Sequence, residues 1–257
     1  MTSTPIDELK SADSNVRARA ALEVGKHGDA GATGALIAAM QVEPDFFVGE
    51  NITWALVRMG HAPVEPLVRL LREGDARTRH RAAHVLSKIA DPSTMDALIA
   101  ALDDEDVTVV SKAAFALGQL GNPSAIPPLV RLLVRDSREL QSTLASVLER
   151  FGPTAVPRLV EALVQDDWRA REQATYVLGF IAGLEVVPSL AALRGDAHWQ
   201  VRFAAAHALG DIGGDTAYAV LREMQGDGDA RVSSLVDRLL LKGEVRRRLK
   251  GRPSGQS

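Results

Sequence analysis

Residues 201–213 read Val201-Arg202-Phe203-Ala204-Ala205-Ala206-His207-Ala208-Leu209-Gly210-Asp211-Ile212-Gly213, and this stretch returns along the chain. Val16-Arg17-Ala18-Arg19-Ala20-Ala21 and Thr78-Arg79-His80-Arg81-Ala82-Ala83 superpose on its first half, and further copies open at Val48, Val109, Leu140, Ala170 and Val232. Successive copies lie 30 to 32 residues apart. A constant period of that length is the mark of a solenoid, in which each unit buries its apolar side only against its neighbours. Such a chain offers extended surface rather than one deep pocket.

Each unit reads as two helices. The first is short and often opens on proline, as in Pro123-Ser124-Ala125-Ile126-Pro127-Pro128, because amides in a first helical turn have no intrahelical partner to lose. An acidic loop such as Asp103-Asp104-Glu105-Asp106 then places negative charge at the start of the second helix, which carries the motif. Counted from the motif's first residue, positions 1, 5, 8, 9 and 12 are mostly apolar and fall on one stripe at helical spacing. Gly121 supplies a helix stop and Asn122-Pro123 turns the chain into the next unit. With aromatics at only 4%, the core must be Ala, Leu and Val. No alternating strand pattern occurs, so the expected fold is all-α: an α-solenoid of about eight helix pairs at roughly 5–26, 31–59, 62–89, 93–120, 123–151, 153–181, 184–212 and 214–242. The domain expectation is one solenoid over residues 1–242, then a basic C-terminal cap and flexible tail over 243–257.

The pattern Val-Arg-x-x-Ala-Ala-x-Ala-Leu-Gly-x-Ile-Gly after an Asp-rich loop resembles the bacterial HEAT-like repeats of the phycobilin-lyase type. Val201–Gly213 matches at nearly every position and Val109–Gly121 matches well. The resemblance spans about residues 4–242 and implies an armadillo-like stack. Among its members are lyase subunits, diiron hydroxylases and plain scaffolds, so it says more about fold than about activity.

In a stack of this kind the second helices line the inner curve, and positions 3, 7 and 10 point away from the core stripe. Position 7 holds Trp54, His84, Phe115, Tyr176 and His207, and position 3 holds Glu50, His80, Glu172 and Phe203. Position 10 is Gly25, Gly118, Gly179 and Gly210 in four copies. Aromatic side chains where packing does not demand them suggest a surface that binds a protein or peptide, since interface hot spots are enriched in Trp and Tyr. The competing reading is that they fill gaps between helices. Positions 4 and 11 place Arg19, Lys88, Arg58, Arg81, Lys112 and Arg150 along one edge, either a dock for an acidic partner or a solvated face. Trp168 and Trp199 recur together just before the second helix, where they would seal a helix pair.

His80 and His84 are spaced as paired metal ligands on one helix face, with Glu50 one repeat earlier, and are the weaker candidates for a metal site. Deoxyhypusine hydroxylase, a HEAT-like diiron enzyme, takes its ligands from His-Glu pairs at this place. Here Arg81 stands where the Glu should be, and Glu50 and Glu172 stand where His should be. The expectation is therefore no metal and no cofactor. No Gly-rich phosphate loop or nucleophile elbow occurs. The absence of Lys and Arg from positions 3, 7 and 10 in the seven full copies argues against nucleic acid. The lack of cysteine, of a signal-like leader and of a membrane-length apolar run suggests a cytoplasmic address. The reading is a non-catalytic scaffold or adaptor. Its alternatives are a metal-dependent oxidoreductase distantly like deoxyhypusine hydroxylase, or a bilin-lyase-like subunit.

Overall fold

The computed structural model of the protein describes residues 4–250. Among the described residues there are helices and no strands. The first helices of the successive pairs are α1 (Pro5–Glu8), α3 (Thr33–Val42), α5 (Val64–Glu73), α7 (Met95–Ala100), α9 (Ile126–Arg131), α11 (Val156–Ala162), α13 (Val187–Ala192) and α15 (Gly214–Glu223). The second helices are α2 (Ser14–His27), α4 (Phe46–Arg58), α6 (Ala76–Ile89), α8 (Val107–Leu120), α10 (Arg138–Phe151), α12 (Trp168–Ile181), α14 (Trp199–Ile212) and α16 (Ala230–Lys250). This is the all-α solenoid that the period requires. The last helix runs to Lys250. The tail from Gly251 and the side chains of residues 245–250 lie outside the described residues. The chain divides into two compact units of four repeats, one ending at Ala125 and the other beginning at Ile126. No helix among the described residues is long and apolar enough to cross a membrane.

The core is the predicted stripe. Position 9 residues Leu56, Leu86, Leu117, Leu148, Leu178 and Leu209 are buried, as are the position 5 residues Ala20, Ile52, Ala82, Ala113, Leu144, Ala174 and Ala205. Position 10 departs from the expectation of an open inner face. A Cβ at position 25 would lie 2.5 Å from the Trp54 ring and 2.9 Å from the Ala55 backbone, and one at position 179 would lie 3.0 Å from Ala208 Cα. These glycines are the seam where one second helix lies against the next, and their missing side chain sets the spacing.

Most second helices begin on an Asp whose carboxylate accepts a backbone amide of the first turn: Asp13, Asp45, Asp75, Asp106, Asp167 and Asp229. Ser137 does the same for α10, and His198 offers α14 no side-chain cap. Most end on glycine, and Gly28 and Gly121 are left-handed there. Ala90 occupies the same place after α6 with φ of 53°.

A second periodic feature ties the repeats together. In four copies the arginine at position 2 reaches the acid that opens the next repeat's loop. Arg17 donates Nε and Nη2 to Glu43 at 2.7 Å, and Arg79 donates to Asp104 at 2.7 and 2.8 Å. Arg171 donates to Asp196 at 2.7 and 3.0 Å, and Arg202 to Asp227 at 2.7 and 2.9 Å. The third nitrogen donates to carbonyls of its own loop, such as Ser11 O at 2.9 Å and Asp196 O at 2.7 Å. The Arg17 guanidinium holds Glu43 below the usual carboxylate range, and Arg202 does the same for Asp227. At Asp104 and Asp196 burial pushes the carboxyl up, and the paired arginine and a backbone amide together outweigh it.

Ala90→Gly should raise stability by about 1 kcal/mol, the cost of a left-handed non-glycine residue, read as a higher urea midpoint. Arg202→Leu should lower it by about 3–5 kcal/mol by leaving Asp227 buried without its cation. The ladder carboxylates sit lower folded than unfolded, so their stabilisation is present above the unfolded value of about 4 and is lost as pH falls through the folded values. The ladder's own contribution should therefore be constant from neutral to pH 5 and fall below about pH 4, so that the loss below pH 4 is shallower in Arg202→Leu than in the wild type.

Candidate protein-binding surface

The sharpest cluster lies in the first unit, where α4, α6 and α8 pass side by side. Glu50 projects from α4, His80 and His84 from α6 and Lys112 from α8, around a cleft of about 210 Å³ that also takes in Phe46 and Gly49. The His84 ring meets Glu50 Oε1 through Nε2 at 2.9 Å. Burial, and next the nearby Lys112 charge, pull both imidazoles below their usual value. At neutral pH both rings are therefore uncharged, and each has one nitrogen that donates and one that accepts. The register thus brings Glu50, His80 and His84 together. Among the described residues no group of three such side chains is arranged to hold a metal ion.

Arg81, grouped with the basic edge by its register, turns inward instead. Its guanidinium donates to the carbonyls of Met40 and Glu43 at the end of α3, and Arg77 donates to the same Glu43 carbonyl at 2.8 Å. Two cations thus cap the carbonyl end of one helix, where its dipole is negative, and burial lowers the Arg81 pKa. Arg19, Arg58, Lys88 and Arg150 are exposed as expected. Arg58 lies 5.8 Å from the Trp54 ring centre and Lys112 lies 5.7 Å from that of Phe115.

Trp54 serves two purposes. One part of its ring covers Gly25, and 41% of the residue remains exposed. In the second unit Tyr176 meets His207 edge to face at 6.1 Å, and Trp199 meets Phe203 at 6.2 Å. His207 Nδ1 lies 2.9 Å from Asp211. Burial raises the Glu172 and Tyr176 pKa values, with the Glu172 charge adding to the effect on Tyr176. The corner tryptophans each cross to the next repeat. Trp168 stacks on His198 at 5.4 Å with 12° between planes, and the Arg231 guanidinium lies 3.4 Å from the Trp199 ring centre.

Phe46 occupies the same register as Trp168 and Trp199, two residues before the motif, but nothing covers it. Phe46 is 72% exposed and Phe47 77%, their rings edge to face at 5.6 Å on the rim of the Glu50–His84 cleft. Val42, the last residue of α3, is 74% exposed. Sequence reasoning passed over this pair because it followed positions within the motif. The available signal was two adjacent aromatics in a chain with only six Phe.

An array of helix pairs with this period defines an α-solenoid repeat protein. More narrowly, the chain belongs to the family of HEAT repeats, whose pattern matches residues 2–74, 64–149 and 156–236. No curated protein matches it. Among solved structures, the complex of CpcE and CpcF of phycocyanin lyase from Nostoc sp. PCC7120 is 25% identical, with 95% of this chain and 96% of that one covered and a TM-score of 0.44. A mutant of the karyopherin Kap121p is 14% identical over 93% of this chain and 33% of its own, with a TM-score of 0.66. Importin beta is 16% identical over 98% and 41%, with a TM-score of 0.63. The last two share the fold, and the chain spans about a third of the Kap121p chain.

Because Trp168 touches the next repeat through His198, Trp168→Ala should cost about 2 kcal/mol. The double variant with His198→Ala should lose little more than the sum's larger member, a coupling that a double-mutant cycle in urea measures.

Proposed function

We propose that the protein is a non-catalytic scaffold or adaptor that binds a protein or peptide partner, and that repeat two supplies the primary contact. The observation that supports this reading most is the Phe46–Phe47 pair, held in the open beside a cleft with polar groups of both kinds. Burying a phenylalanine is worth about 1.5–3 kcal/mol, so two left in water represent binding energy that folding does not use. The neighbouring cleft supplies orientation: the Glu50 carboxylate, the uncharged imidazoles and Lys112 can pair with backbone or polar groups of a docked segment. Apolar anchors beside a few directional polar groups make the usual interface core and rim.

A photo-crosslinking amino acid at position 47, expressed in the native host, should capture the partner for identification. Titrating that purified partner against Phe46→Ser/Phe47→Ser should then show at least about 30-fold weaker binding, the equivalent of a hot-spot loss of about 2 kcal/mol. The melting temperature should stay level because both rings are already exposed. Undiminished binding by the double variant would remove repeat two from the interface.

A further inference from the structure

A different surface, in the second unit, gathers basic residues on one helix. Helix α16 carries seven basic residues against Asp237 and Glu244, a balance of +5 in a chain whose net charge is −3, so the remainder carries −8. The helical period sorts these charges. Arg231 and Arg238 are seven residues apart and Lys242 follows four later, which puts all three on one face, whereas Asp237 and Glu244, also seven apart, share another. The basic face is exposed at each of these positions. It borders an open hollow between α14 and α16 lined by Phe203, Ala230, Arg231, Ser234 and Arg238. Arg231 is held in place, paired with Asp229 at 2.6 Å and lying on the Trp199 ring. Arg238 donates Nε to the Ser234 carbonyl, one turn back, at 3.2 Å.

We infer that this face of α16 docks an acidic peptide segment of a protein partner. Three features select that occupant. The strip from Arg231 to Lys242 spans eleven helical steps, or about 17 Å, which matches about five residues of extended chain. The hollow is concave and holds the Phe203 ring, so it can take a side chain as well as a charge. The remainder of the chain carries −8, which disfavours a long polyanion such as duplex DNA, whose phosphates continue past any one site. The inference is independent of the repeat-two surface, which lies in the other unit.

The probe is fluorescein-labelled pentaglutamate, titrated by anisotropy against the full chain at low and at raised salt. Binding should weaken as salt rises. Arg238→Glu/Lys242→Glu should weaken it at least tenfold, Arg238→Lys should retain most of it, and Arg158→Glu, an exposed arginine elsewhere, should leave it unchanged. Circular dichroism melts verify that the variants fold. Parallel titrations with a single-stranded DNA 20-mer and with phosphatidylserine vesicles separate the other anions. The proposal is overturned if pentaglutamate fails to bind, if the double reversal does not weaken it, or if DNA or vesicles show the greater loss on that reversal.

Discussion

In four copies the arginine-to-acid rung couples a repeat to the next at the point where the next helix begins. Its arginine is anchored at both ends, to carbonyls of its own loop and to a carboxylate one repeat on. That carboxylate also accepts the amide two residues later: Asp45 N on Glu43 at 2.9 Å, Asp106 N on Asp104 at 2.8 Å, Asp229 N on Asp227 at 2.8 Å. Asp45, Asp106 and Asp229 in turn cap α4, α8 and α16. A single guanidinium therefore fixes a loop, a cap and a helix start in the neighbouring repeat. A surface pair between mobile side chains is worth little. These pairs are bidentate and largely removed from water, with side-chain exposures of 13% and 3% for Arg17 and Glu43, so losing one partner is expensive.

The fold is legible because its determinants recur: apolar positions at helical spacing, an Asp cap before most motifs, a stop after most of them. The seam glycines are equally visible, but their helical angle points to the open face rather than to the next helix. Helical angle alone cannot separate an open groove from a close contact between successive second helices, since both lie off the core stripe. Only the distance from Gly25 to Trp54 and Ala55, or from Gly179 to Ala208, decides it. The rung was hidden for a related reason. Arg17 and Arg79 were read as part of the repeated motif, and their partners 25 or 26 residues on belong to loops whose acidity was already explained by helix capping.

Candidate site residues were legible where register alone brings them together, as with Glu50, His80 and His84. Register failed for Arg81. Its position predicts an exposed edge, but the end of α3 presents unpaired carbonyls within reach, and a cation beside a helix C-terminus satisfies both. A long side chain goes where its hydrogen bonds are, which the period of its Cα does not encode.

The contrast between Phe46 and the two corner tryptophans shows how a regular stack can expose a binding surface without breaking. All three open a second helix in the same register. Trp168 and Trp199 find a partner in the following repeat because His198 and Arg231 stand there. In the repeat after Phe46, Arg77 stands in the place of Arg231 and is drawn off to the Glu43 carbonyl, while Asp75 stands in the place of His198 and caps α6. The second repeat also has Gly49 where four copies have the rung arginine, and Arg77 and Arg81 of the third repeat donate to the Glu43 carbonyl there. The same diversion that keeps α3 capped leaves the phenylalanine ridge uncovered and opens the cleft above Gly49. Stability at this point is supplied from the far side of the loop, so the near side is left free for contact.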